Sequence, residues 1–159
     1  MELSQKQAEF MSRAIALSEL SVKKGGGPFG AVVVKDEYIV GEGYNSVTLK
    51  NDPTAHAEIE AIREAAASIG SFELRDCEIY TSCEPCPMCL GAIYWSGITR
   101  IYYGNNKNDA ARIGFDDQFI YEELERPFED RKISLEKIMS KEAAKAFKMW
   151  EEKDDKIEY

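Results

Sequence analysis

The residues Phe29-Gly30-Ala31-Val32-Val33-Val34-Lys35 constrain this chain more than any others. They are apolar at successive rather than alternate positions, so a strand here presents apolar side chains to both faces of its sheet. Such a strand has to be covered on both sides. Asp36-Glu37 supplies a turn, and Tyr38 to Tyr44 reads as the returning strand of a hairpin. Upstream, Ser4 and Gln7 fit a capping box, and Ala8, Met11, Ile15, Ser18 and Val22 fall on one face of a helix that stops at Gly25-Gly26-Gly27-Pro28. Downstream, Asn51-Asp52-Pro53-Thr54 breaks the chain ahead of a helix from Ala55 to Ile69, with Ala57, Ala61, Ile62 and Ala65 on one face and Gly70 as its stop. A short strand over Cys77 to Thr81, a helix over Pro85 to Trp95 and a strand over Ile98 to Tyr103 follow. Beyond Gly104 the pattern weakens. Phe119 to Leu124 reads as a short helix, Ile133 to Ile138 as strand or helix, and Lys141 to Lys153 as a helix. Strands alternating with helices predict a three-layer α/β/α domain with a mixed sheet.

The length of 159 residues suits one domain, 1–159, that buries roughly 68–70% of its unfolded surface. With 44% apolar and 31% charged residues the chain is globular rather than disordered. No apolar run approaches the ~20 residues needed to span a bilayer, so no membrane partner is expected. The N-terminal Met-Glu-Leu-Ser-Gln has no basic region followed by an apolar stretch, so the expected location is the cytoplasm, where the four cysteines stay reduced. The net charge of −9 offers no basic face for a nucleic-acid backbone, and a small, weakly charged metabolite is the expected partner.

His56 is the single histidine, in Pro53-Thr54-Ala55-His56-Ala57-Glu58 at the start of a predicted helix. Later comes Ser82-Cys83-Glu84-Pro85-Cys86-Pro87-Met88-Cys89. On a helix the spacing of Cys86 and Cys89 puts both sulfurs on one face, within reach of one metal. Helix N-termini favour thiolate, the ligand form. One histidine and two cysteines make three protein ligands, the number catalytic zinc usually has, with a fourth position open. Two other readings stand beside this one. Cys83 forms an overlapping C-x-x-C with Cys86 and would complete a structural Cys3His site, or Cys86 and Cys89 are buried thiols. Cys77, on a strand, reads as core. Glu58 reads either as a surface carboxylate or as a proton carrier. A metal bound by one imidazole and two thiolates keeps no residual positive charge and acidifies water weakly, so a nearby base is needed.

His-x-Glu followed by Pro-Cys-x-x-Cys is the signature of the zinc nucleobase deaminases, and both strings occur here in order. The chain resembles the cytidine deaminase-like superfamily from about residue 5 to 104 and beyond. It resembles bacterial guanine deaminases in particular at 27–32, 51–58 and 81–95, at Gly114-Phe115-Asp116-Asp117-Gln118-Phe119-Ile120-Tyr121, and at the closing Glu158-Tyr159. The resemblance implies a cytidine deaminase-like fold with a mixed five-stranded sheet. It implies one zinc per chain on His56, Cys86 and Cys89, and Glu58 as proton shuttle. It places Asn45 on the ring carbonyl, Phe29 as a stacking aromatic and Trp95 at the pocket. Asp117 becomes an acceptor for the substrate amine that helps pass its proton, and Ala57 contributes backbone groups. From the residues alone Asn45 also reads as a strand-end or turn asparagine, Phe29 as core, Trp95 as packing and Asp117 as a helix cap.

The implied reaction is hydrolytic deamination of guanine to xanthine and ammonia, in purine metabolism. Deamination of cytosine, guanosine, a guanine-like triazine or tRNA adenosine is the alternative, and a zinc module without turnover stands further off. The tail, about 151–159, is highly charged yet carries Ile157 and Tyr159. By the resemblance it covers a pocket across a homodimer with exchanged C-terminal segments, with Tyr159 over the base.

Overall fold

The computed structural model describes residues 3–159. Met1 and Glu2, on which the expectation of no signal peptide and the start of the expected 1–159 domain fall, lie outside the described residues. Two units are distinguished, the first running to Asp117 and the second Gln118–Tyr159.

The first unit opens with α1 (Gln5–Lys23), whose Ser4 cap and Gln7 form the expected capping box. Gly25, at φ 91°, turns the chain out of it. β1 (Gly30–Lys35) and β2 (Tyr38–Tyr44) form the hairpin, with Asp36 and Glu37 both at positive φ as a two-residue turn requires. A short helix, α2 (Val47–Lys50), precedes α3 (Ala57–Ile69), which Gly70 ends in the left-handed conformation. β3 (Cys77–Cys83), α4 (Pro87–Ser96), β4 (Ile101–Asn105) and α5 (Lys107–Arg112) complete the unit.

The sheet order is β2-β1-β3-β4, with β1 antiparallel to both neighbours and β4 parallel to β3. It is a mixed sheet of four strands, where five were expected. The remaining candidate, Ile133 to Ile138, forms no regular element, and Ile133, Leu135 and Ile138 are exposed. Its alternation breaks at Glu136-Lys137, too early to hold a strand on one buried face.

β1 is buried on both faces as its composition demands. Val32 and Val34 pack with Tyr80 against Phe10, Ala14 and Leu17 of α1. Ala31 and Val33 pack with Ile79 against Ala57, Ala61 and Ala65 of α3 and Ile93 of α4. The layers are therefore α1, sheet, and α3 with α4. The stripe expected for α1 was misplaced: Phe10, Ala14, Leu17 and Ser21 face inward, while Ile15 and Val22 are 43% and 54% exposed. A Cβ on Gly30 would sit 2.2 Å from the Ala14 carbonyl oxygen and 2.8 Å from Leu17 Cβ. The helix touches the strand there, so alanine takes the contact and the larger Ile15 is turned away. The same small-residue logic brings α3 onto β2, where a Cβ on Gly43 would meet the Ala57 carbonyl oxygen at 2.2 Å. That contact fixes the first turn of α3, where the candidate site begins.

The second unit holds α6 (Gln118–Glu125), a 3-10 turn (Phe128–Asp130) and α7 (Ser140–Glu151). Arg131 donates to the carbonyls of Leu124 and Arg126, and Lys156 to that of Glu151, closing the ends of α6 and α7. No helix among the described residues is long and apolar enough to cross a membrane.

Candidate metal centre

Two helix N-termini supply the site. His56 is the N-cap of α3, and Cys86 is the N-cap of α4 with Pro87 behind it. Each is pinned by its approach. Asp52 Oδ1 accepts from the Thr54 N–H at 2.8 Å and from its hydroxyl at 2.7 Å, and the Ala55 carbonyl accepts from the Ser46 N–H at 2.9 Å. On the other side the Glu84 N–H donates to the Asn105 carbonyl at 2.8 Å, and the Glu84 carboxylate accepts from the Lys107 N–H at 3.0 Å. His56 Nδ1 then lies 3.5 Å from Cys86 Sγ and 3.4 Å from Cys89 Sγ, and the three ligand atoms fall within 4.8 Å of one another.

The neighbouring Cys89 thiol pulls the Cys86 pKa down, while Cys86 and burial push Cys89 up. The Cys86 sulfur in turn raises His56. One imidazole and two thiols, one of them readily thiolate, are a donor set that fits zinc. Cys83 is not in this group: its thiol faces the Asn106 carbonyl at 3.8 Å, and burial pushes it up to about 11. Cys77 is in the core, as expected.

Glu58 is 6% exposed although it is a carboxylate in the first turn of a helix. Burial pushes its carboxyl up from the ordinary value, against hydrogen bonds from its own N–H and the Cys89 thiol. The carboxyl therefore lies beside the candidate ligands. Its other partner is Thr81, whose Oγ1 is 3.3 Å from Glu58 Oε1.

Residues 4–105 match the model of the cytidine and deoxycytidylate deaminase zinc-binding region. The chain belongs to that deaminase family. It is 50% identical over 151 residues to a guanine deaminase of Bacillus subtilis, a match covering 94% of this chain and 97% of that one. The X-ray structure of guanine deaminase from Bacillus subtilis superposes with a TM-score of 0.92 at 50% identity, covering 96% of this chain and 98% of that one. A tRNA-specific adenosine deaminase of Buchnera aphidicola is 37% identical over 143 residues, 89% of this chain and 91% of that one.

In this zinc-deaminase family member the remaining candidates fall into two groups. Asn45 is buried, and its Oδ1 accepts from the N–H groups of Gly27 at 3.4 Å and Val47 at 3.3 Å. With the oxygen engaged, Asn45 offers its amide NH2 as a donor. Phe29 packs edge-on against Phe115, ring centroids 4.9 Å apart. Asp117 is half-buried, and burial first and the charge of Cys86 after it raise its carboxyl above the ordinary value, with Lys107 opposing the shift. Ala57, in the first turn of α3, is fully buried. Trp95 is not brought beside the group: it sits in the last turn of α4, on the order of 13 Å along the helix from Cys86, and is 73% exposed. Tyr159 belongs to the second unit and is exposed. Thr81 and Phe115 were not singled out from the sequence. Threonine in a strand signals only β-propensity, and Phe115 stands where periodicity has faded.

Proposed function

We propose that this chain catalyses hydrolytic deamination of guanine to xanthine and ammonia, with one zinc ion per chain on His56, Cys86 and Cys89. When bound, zinc would supply Lewis acidity toward water, weakened by its two thiolates, so that Glu58 is needed as the base. Glu58 takes the proton that water gives up as its oxygen joins C2, and delivers it to N3. It then takes the remaining proton from the hydroxyl now on C2 and hands it to the exocyclic nitrogen, so that C2=O forms as the C2–N bond breaks and ammonia leaves. A carboxyl raised by burial is suited to both directions of transfer. The Asn45 amide donates to the O6 carbonyl. Asp117, as carboxylate, accepts from the ring N–H or the amine and helps pass its proton. Phe29 stacks on the base, and Ala57 contributes backbone groups.

The observation that carries guanine over other bases is the 50% identity to a protein named guanine deaminase across 94% of this chain, which necessarily runs past the family region ending at 105. The likeness to a tRNA adenosine deaminase keeps editing of tRNA as the second reading, and the net charge of −9 weighs against it. Guanine, guanosine, cytosine, adenine, ammeline and a tRNA anticodon stem-loop compared for ammonia release test the assignment. Guanine is expected to give the highest kcat/KM, and the reading fails if cytosine or the tRNA outruns it. A cobalt-substituted spectrum reporting three sulfurs would overturn the ligand set.

The proposal extends to a cytoplasmic homodimer that exchanges its C-terminal segments, each tail (151–159) covering the partner's site and no nucleic acid or membrane taking part. Trp95 and Tyr159 then close the pocket. Both are exposed on their own chain, the state expected of residues that a second copy covers. Excluding bulk water strengthens the electrostatics that stabilise the anionic transition state.

A further inference from the structure

Alternate residues of a strand share a face, and β3 sends Cys77, Ile79, Thr81 and Cys83 toward α3 and α4. Cys77 and Ile79 fill the core there. At Thr81 a hydroxyl stands where valine would give the same volume without a polar atom. Thr81 is 1% exposed, and its Oγ1 lies 3.3 Å from Glu58 Oε1 and 2.9 Å from the Cys83 carbonyl oxygen. One hydrogen serves two acceptors. The hydroxyl donates to Oε1, with the Cys83 carbonyl as its second acceptor, and Oε2 is left to carry the proton.

The geometry points to Thr81 as the positioning residue for Glu58: its buried hydroxyl, 3.3 Å from Oε1, holds the carboxyl in one orientation. This rests on the reading of Glu58 as the proton carrier. Such a carrier works only where its oxygen stays within hydrogen-bond reach of the atoms it serves, and small misplacements are costly. The hydrogen bonds of the Thr81 side chain go to Glu58 and the Cys83 carbonyl, so its effect is expected on kcat and not on binding.

Thr81→Val, Thr81→Ser and Glu58→Gln in the zinc-loaded full-length chain, assayed for kcat and KM with guanine, provide the test. A crystal structure of Thr81→Val supplies a readout independent of turnover. Thr81→Val is expected to lower kcat about tenfold, as loss of one hydrogen bond to a charged group does, with KM within about twofold and zinc content unchanged. Thr81→Ser is expected to restore kcat, and Glu58 in the Thr81→Val crystal to occupy a second rotamer. Wild-type kcat in Thr81→Val, equal slowing in Thr81→Ser, or a Glu58 that has not moved would each overturn the proposal. If Thr81→Val does not fold, Thr81→Cys, a weak donor of similar size, takes its place with the same expected loss. Wild-type turnover in Glu58→Gln would instead overturn the reading of Glu58, while the crystal structure still decides whether Thr81 holds it.

Discussion

The two units of this chain solve the problem of apolar side chains in opposite ways. In the first, β1, β3 and the inward faces of α1, α3 and α4 bury theirs, and the core reaches from Phe10 to Ile98. In the second, none of residues 118–159 is buried, although α7 carries Phe147, Met149 and Trp150 and the segment before it Ile133 and Ile138. Helices of this length are marginal in water without a packed face. The second unit is held by caps such as Arg131 on the carbonyls of α6, which fix ends and not faces. The comparison teaches that the candidate metal ligands and Glu58 stand on the unit with the packed core, while the other unit leaves apolar side chains exposed.

The largest effect that would sharpen this contrast is at Glu58. Glu58→Gln is expected to keep its zinc, measured by elemental analysis, and to lose roughly 10²–10⁴ in kcat. Near wild-type turnover would remove the chemistry from the first unit as described. Next in size is the core. Ile79 is fully buried between the hairpin and α3, and Ile79→Ala is expected to cost about 2–5 kcal/mol in denaturant unfolding. A loss no greater than that of a surface substitution would mean that the first unit does not stand on its own core.

Smaller, and aimed at the second unit, is deletion of residues 156–159. Guanine turnover is expected to fall about tenfold as water gains access to the site, with zinc content and melting temperature of the chain unchanged. Unchanged activity, or full activity in a monomer, would take away the lid.

What was legible in the sequence follows the same division. The Ser4 capping box, the hairpin at Asp36-Glu37 and the stop at Gly70 are local signals, and each stands where it was read. His56, Cys86 and Cys89 were legible because three metal-binding residue types at helix starts form a pattern with few other uses. The face of α1 was not legible, since hydropathy favours Ile15 and Val22 and only the close approach at Gly30 shows that Ala14 has to take the contact. The contact of Phe115 with Phe29 joins distant parts of the chain, which periodicity cannot report. The missing fifth strand has the same cause: alternation at Ile133 and Leu135 satisfies the local rule, but a strand needs a paired neighbour.

The smallest expected effect is the most direct test of the contrast. Phe147 is 78% exposed in α7, so replacing it removes no buried contact within the chain. Phe147→Ser should therefore change unfolding free energy by no more than about 0.5 kcal/mol in a dilute sample, the usual range for surface substitutions. If a second copy covers α7, the same substitution weakens association, and sedimentation at increasing concentration should show the monomer persisting where the wild type has dimerised. The two readouts separate because burying a phenylalanine is worth about 1.5–3 kcal/mol only where water is removed from it. A large loss of stability in the dilute monomer would mean that α7 is held by its own chain, and the division between the units would fall. Unaltered association would leave the division standing and assign the covering surface to another part of the second unit.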